Sequence, residues 1–266
     1  MLLNSLKAVA RRVAPESLYR LYRKQRVRRF IEGFEPHTVT HTYGGHVLRV
    51  RLEDGLAASW YDKDWPTPGE FDRLPLDGAT VFDLGAHQGV VALILARRAQ
   101  HVVAVEAVAH NARVAEINRS LNGQRNLTIV HAAITAGGGT VHLAEELNAR
   151  LSTHGRVGKV GVRAVTVDGL AAEHGHPDVL YIDVEGAEIE ALRGAARTLA
   201  RKPTLFIEVH VGDLIDGTTQ TLVQMLDGYR IECFDEDFAS LPGPSDNRFW
   251  LLATPDDAKT TTGTPA

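Results

Sequence analysis

The sequence predicts an open α/β fold: a mostly parallel sheet covered by helices on both faces, preceded by a helical and β-hairpin extension. Three observations predict it. From Thr80 onward, short apolar runs alternate with stretches of helical periodicity, the pattern of parallel strands joined by crossover helices. The first of these strands ends in Asp83-Leu-Gly85-Ala86-His87-Gln-Gly89, a glycine-bearing turn into a helix. The second ends on an acid, Glu106, where a ribose-binding carboxylate falls in sheets of this kind.

Residues 1–34 are expected to be helical. Leu2, Leu6, Val9, Ala10 and Val13 recur at helical spacing, Pro15 forces a break after Ala14, and a second helix runs from about Glu16 to Ile31. Lys7, Arg11, Arg12, Arg20, Arg23, Lys24, Arg26, Arg28 and Arg29 face only Glu16 before Glu32. That suits peripheral contact with an anionic membrane or an acidic glycan. A solvated face packed on its own domain is favoured, because the apolar stripe is modest. Residues 37–61 read as β-structure, with a hairpin over His41–His46 turning at Gly44-Gly45, a strand over Val47–Leu52 and a turn at Glu53-Asp54-Gly55. Trp60-Tyr-Asp-Lys-Asp-Trp65 suits a substrate mouth or a lid over the sheet equally.

The alternation then runs in order. Strands are expected over Thr80–Leu84, His101–Glu106, Leu127–Val130, Thr140–Leu143, Val160–Val167, Asp178–Asp183 and Thr204–His210. Helices are expected over Gln88–Arg98, Ala109–Leu121, near Asp168–His174, Ala187–Leu199 and Thr218–Leu226. Tyr229–Phe234 and Phe249–Ala253 lack a helix between them and should form an antiparallel end pair. Thr254–Ala266 is rich in Thr, Asp, Pro and Gly, the composition of a disordered tail. The chain thus divides into an extension (1–78), the main domain (79–253) and a tail (254–266).

Composition narrows the partners. At 266 residues, 44% hydrophobic and 23% charged, the chain is ordinary globular protein long enough for a large core. A net charge of −4 argues against nucleic acid. The single Cys233 permits no internal disulfide and fits a reducing compartment. There is no run fit to span a bilayer and no clear signal peptide, so a cytoplasmic location is expected.

The turn selects the ligand. His87 and Val90 stand where a dinucleotide fingerprint needs its second and third glycines, and no Gly-Lys-Ser/Thr is present. A pyrophosphate is therefore disfavoured. Asp-x-Gly-x-x-x-Gly suits a ligand without phosphates: Asp83 can orient the cationic amino end of a methionine moiety, and Glu106 can accept both ribose hydroxyls. This is the pattern expected for S-adenosylmethionine, with S-adenosylhomocysteine as product.

The stretch from about residue 79 to 212 resembles the FkbM family of methyltransferases. The resemblance is carried by Val81-Phe-Asp-Leu-Gly-Ala-His-Gln-Gly89, Val105-Glu-Ala107, Asn111, Asn118, Leu121-Asn-Gly123, Asn126-Leu-Thr-Ile-Val130 and His131-Ala-Ala133. It continues through Val165-Thr-Val-Asp168, Gly194, Ile207-Glu-Val-His210 and, most specifically, Ile182-Asp-Val-Glu-Gly-Ala-Glu188. It implies a class I methyltransferase (Rossmann-like) fold, seven strands with the last antiparallel, and O-methylation of a sugar, glycan or natural-product hydroxyl. It further implies that Asp83, Gly85, Ala86, His87 and Gly89 surround the methionine part of the cofactor. Glu106 and Ala107 would meet the ribose, and Ala132 and Ala133 would flank the adenine. The chain departs from the family at Tyr181, where many members carry lysine.

Methyl transfer to a hydroxyl needs the oxygen positioned and its proton removed. Asp183, Glu208 and His210 lie at the ends of adjacent strands and should converge on the methyl group; Asp183 would also touch the cofactor. His210 is the natural general base from its ordinary pKa of about 6.5, and Asp183 is the second candidate. These three also suit a divalent metal, but there is no compact His/Glu motif and no metal is predicted. Glu185 and Glu188 can cap the following helix. Two readings compete: a nucleotide-binding oxidoreductase on a similar sheet, which the missing middle glycine opposes, and a non-catalytic binding module, which the intact Asp83 and Glu106 oppose.

Overall fold

A computed structural model describes residues 33–65, 70–143, 160–210, 218–245 and 248–256. The two basic helices expected before residue 33 and the tail after residue 256 lie outside the described residues. In chain order the elements are β1 (His37–Tyr43), β2 (His46–Leu52), α1 (Gly55–Tyr61), α2 (Glu70–Arg73), β3 (Thr80–Leu84), α3 (Val90–Leu95), β4 (His101–Glu106), α4 (Ala109–Leu121) and β5 (Leu127–His131). They continue with β6 (Ala133–Ile134), β7 (Gly139–Leu143), β8 (Val160–Val165), α5 (Val167–His174), β9 (Val179–Ile182), α6 (Glu188–Arg193), α7 (Ala196–Leu199), β10 (Thr204–Val209), α8 (Thr218–Met225), β11 (Tyr229–Phe234), β12 (Ser240–Leu241) and β13 (Phe249–Pro255).

The main sheet has eight strands in the order β12-β11-β13-β10-β9-β3-β4-β5. β5, β4, β3, β9 and β10 pair in parallel, and β13 runs antiparallel to both β10 and β11. This is the class I methyltransferase sheet of seven strands, with two-residue β12 added at one edge. Four expectations change. The segment read as a turn at Glu53-Asp-Gly55 starts helix α1, because Asp54 caps it by accepting from the Ala57 N–H at 2.8 Å. β7 and β8 leave the main sheet and pair with β6 as a separate three-stranded sheet. The helix expected over Ala187–Leu199 is two, α6 and α7, divided at Gly194, where a Cβ would stand 2.5 Å from the Thr135 carbonyl oxygen. β13 extends to Pro255, into the segment that composition marks as tail.

Side chains alternate between two cores, as strand geometry requires. Val81, Ala104, Val179, Tyr181 and Phe206 face the hairpin and α3, while Phe82, Leu84, Val103, Val105, Leu180 and Ile207 face the opposite layer. Tyr181 is buried and stacks on Phe71 of α2 (6.3 Å between ring centroids), so it belongs to the core. Cys233 is buried.

The hairpin docks through polar contacts. Asn118 Oδ1 accepts from the Arg51 N–H (2.7 Å) and Asn122 Oδ1 from the Arg49 N–H (3.0 Å), while Asn122 Nδ2 donates to the Arg49 carbonyl (2.8 Å). Asn118 Nδ2 reaches the Gln88 carbonyl at 2.9 Å, and Gln88 Nε2 donates to Asp54 at 2.8 Å. The extension and the turn after β3 therefore form one bonded unit. Among the described residues, no helix is long and apolar enough to cross a membrane.

Candidate active site

The strand registers bring four positions to one level at the carboxyl edge of the sheet. Leu84 pairs with Val105 and with Ile182, and Ile182 with Ile207. One residue later on each strand come Glu106, Gly85, Asp183 and Glu208. Three are acids, and the one in their midst has no side chain. A Cβ on Gly85, whose φ is +95°, would stand 1.8 Å from the Asp183 carbonyl oxygen. The sequence argues a glycine here for the ligand's sake; the approach of β9 to β3 demands it as well. Gly89, at φ +81°, likewise lies against α4, where a Cβ would come within 3.0 Å of the Ala115 Cβ.

Beside this row opens a cleft. Gly85, Glu106, Ala107, Ala132, Ala133 and Asp183, all expected at the cofactor, line it, and Ile134 and Leu143 complete its apolar wall. Asp83, Ala86, His87 and Gly89 are not on that wall; they build the turn behind it. Glu106 shapes the turn, with Oε2 accepting from the His87 N–H (2.8 Å) and Oε1 from the Val108 N–H (2.7 Å). Asp83 is buried, and its Oδ2 has no hydrogen-bond partner among the described residues.

His87 sits at φ 49°, a left-handed conformation unusual for a side-chain-bearing residue. Tyr61 OH stands 2.9 Å from its Nδ1, and Trp60 meets its ring edge-on at 5.1 Å. Burial lowers His87 to about 4, so the ring is neutral. The Trp60–Trp65 segment thus packs over the turn after β3, with Trp65 against Tyr43 and Tyr61 and Trp60 at the surface. These contacts were not legible in the sequence, because α1 itself was not.

The residues fit S-adenosylmethionine. The cleft's apolar wall would suit the adenine, Glu106 at its edge would suit the ribose, and the buried Asp83 has an oxygen, Oδ2, with no hydrogen-bond partner among the described residues. Burial raises Asp83 to about 7, reinforced by the Glu106 charge, and raises Glu106 to about 7 against the pull of its backbone hydrogen bonds. A cationic ligand favours the ionised forms. Cofactor affinity should therefore rise between pH 6 and 8, by up to about tenfold per proton per pH unit on the acid side. Calorimetry in buffers of different ionisation enthalpy should show proton release below pH 7; a flat affinity would exclude the assignment. In folding the sign is opposite: these two groups add stability fully present below about pH 4 and lost as pH rises through 7.

Asp183, Glu208 and His210 do converge. His210 Nε2 lies 3.8 Å from Asp183 Oδ1, 3.7 Å from Glu208 Oε1 and 3.7 Å from Glu185 Oε2. Its Nδ1 is 2.7 Å from Glu188 Oε1, which also accepts from the Gly186 N–H at 3.0 Å. Glu188 therefore binds the turn before α6 and holds the imidazole; the helix itself has Ala187 at its N-cap and no side-chain cap, so neither Glu185 nor Glu188 caps it as expected. Glu185 takes a left-handed φ of 50°. Burial and the neighbouring Glu208 charge push Asp183 well above the usual carboxylate range. Burial pulls His210 down, but Glu188, Glu185 and Glu208 outweigh it and raise the ring to about 9. The ring's ordinary pKa is therefore no reason for choosing it as base. Arg248 Nη1 reaches Glu208 Oε1 at 3.0 Å and was missed in the sequence, since only the β10–β13 pairing brings it there.

The sequence matches the family model described as "Methyltransferase FkbM domain" over residues 83–231. No curated protein matches it. Among solved structures, it is similar to a methyltransferase FkbM from Methylobacillus flagellatus KT, with 18% identity and a TM-score of 0.47 over 66% of this chain and 44% of that one. The chain thus spans less than half the length of that relative. It is also similar to a SAM-dependent O-methyltransferase from Thermotoga maritima (14%, TM-score 0.46, 82% of this chain and 77% of that one). A TehB-like SAM-dependent methyltransferase from Corynebacterium glutamicum ATCC 13032 is similar as well (14%, TM-score 0.46, 75% and 92%).

Proposed function

Because the chain belongs to the FkbM methyltransferase family, we propose that it transfers the methyl group of S-adenosylmethionine to a hydroxyl of a sugar, glycan or natural product. The observation that carries this reading is the row Glu106–Gly85–Asp183–Glu208, with a ligand cleft on one side of Gly85 and an acid–imidazole cluster on the other. The bound cofactor supplies a methyl carbon already activated by a sulfonium. The chain's own residues do the rest. Glu106 and Asp83 orient the donor, the apolar wall excludes water, and Asp183, Glu208 and His210 receive the acceptor oxygen and promote loss of its proton.

The test is incubation of the full chain with methyl-labelled cofactor and fractions of sugars, glycans and small-molecule extracts, read by mass spectrometry. Label should enter hydroxyl-bearing acceptors as methyl ethers. Failure of the chain to bind S-adenosylhomocysteine would end this reading. His210→Ala should lower turnover by about 10²–10⁴ with little change in cofactor affinity, and Asp183→Ala should lower turnover as much while also weakening cofactor binding. Full activity in both would remove these residues from the chemistry.

A further inference from the structure

We propose that Asp183, Glu208 and His210 hold a first-row divalent cation, on which the acceptor hydroxyl is bound and acidified. This rests on the methyltransferase reading above and says how the cluster acts: through the cation, as its ligands.

The geometry is that of a ligand set. One donor atom from each of the three side chains lies within 4.8 Å of the others. Nε2 of His210 stands 3.7–3.8 Å from oxygens of Asp183 and Glu208, beyond hydrogen-bond reach. Donors at about 2.1 Å from one cation lie roughly 3 Å apart when adjacent and about 4.2 Å apart when opposite, which brackets that spacing. The imidazole is already oriented. Its Nδ1 pairs with Glu188, which is 0% exposed, leaving Nε2 turned toward the carboxylates. A carboxylate behind the imidazole is the usual support of a metal-bound histidine.

Buried oxygens give a second, independent sign. Glu188 Oε2 and Glu70 Oε2 have no hydrogen-bond partner among the described residues. Glu70 is 5% exposed and lies close enough to Glu208 for their charges to interact. Asp183, Glu185, Glu188, Glu208 and Glu70 thus crowd one side of the sheet edge, where Arg248, half exposed, reaches Glu208. Glu70, Glu188 and Glu208 among them are buried, and a dication would compensate their charge. Two carboxylates and an imidazole suit manganese, iron or zinc better than magnesium or calcium, which take oxygen throughout. In the reaction the hydroxyl oxygen would coordinate the cation, and its proton would leave to solvent. The oxygen would then form its bond to the methyl carbon as the carbon–sulfur bond breaks and its electron pair stays on sulfur.

The full chain, stripped with a chelator and dialysed, is titrated with manganese by calorimetry and electron paramagnetic resonance, and with zinc in parallel. One ion should bind per chain. Asp183→Asn and His210→Ala should weaken it at least tenfold, and Glu188→Gln by about 10–100-fold. Glu232→Gln, on β11, should change nothing. Thermal unfolding of each variant separates lost binding from lost folding. No bound ion in the wild type at millimolar manganese or zinc overturns the proposal, as does binding indifferent to Asp183→Asn. Methyl transfer that survives the chelator overturns it too, yet leaves the methyltransferase reading intact. Absence of S-adenosylhomocysteine binding would sink that reading, while the ion titration is read on its own.

Discussion

Gly85→Ala is expected to cost about 3–5 kcal/mol of stability, a large part of the roughly 5–15 kcal/mol that holds a protein folded. Two causes add. An alanine at φ +95° is strained, and its methyl carbon would fall 1.8 Å from the Asp183 carbonyl oxygen. That oxygen belongs to the backbone at the end of β9, so relief requires β3 and β9 to part at their carboxyl ends. Thermal unfolding should drop by about 10 °C or more. Gly123→Ala is the control: its φ is +60°, nothing lies within 4 Å, and about 1 kcal/mol of strain is all that is expected. Equal losses in the two variants would refute the close approach. Because the methyl group would also enter the row between Glu106 and Asp183, any folded fraction should bind cofactor poorly.

Glu106→Ala should weaken cofactor binding by about 100-fold or more and also lower stability by about 2–4 kcal/mol. The second effect follows because both carboxylate oxygens accept backbone N–H groups, from His87 and Val108, which alanine would leave unpaired. Loss of affinity in the alanine variant alone would therefore be ambiguous. Glu106→Gln resolves it: the amide keeps the volume and one acceptor, so stability should fall less while affinity still drops tenfold or more. Calorimetry against S-adenosylhomocysteine, beside thermal unfolding, reads both. Affinity unchanged in the glutamine variant would remove Glu106 from the ribose site.

Much of this frame is visible in local sequence. β3, β4, α4 and β11 have the bounds that periodicity assigns them, because each is a run of one period ended by a glycine, an acid or a turn. The Asp83–Gly89 turn and the acids at strand ends are visible for the same reason, since ligands meet parallel sheets at those ends. What stays hidden depends on contacts distant in the chain. Helix α1 is hidden because Asp54-Gly55 reads as a turn until Asp54 is seen capping Ala57 and receiving Gln88. Tyr61 meets His87 only once α1 lies on the cofactor turn. Arg248 joins Glu208 across an antiparallel pair that no local pattern announces. β7 and β8 look like any strands in sequence, and only pairing shows that they form a sheet of their own.

The amides of Asn118 and Asn122 have a consequence for how the molecule meets its own copies. One turn of helix advances about 6 Å over four residues, and a strand covers nearly the same distance in two. Asn118 and Asn122, four apart on α4, therefore keep step with Arg51 and Arg49, two apart on β2. A helix here serves β2 in place of a third strand. The hairpin edge that would otherwise offer a row of bare amides to any passing chain is closed by side chains, which cannot be extended into a further strand. Docked this way, the β2 edge is withdrawn from the edge-to-edge pairing that leads exposed strands into aggregates.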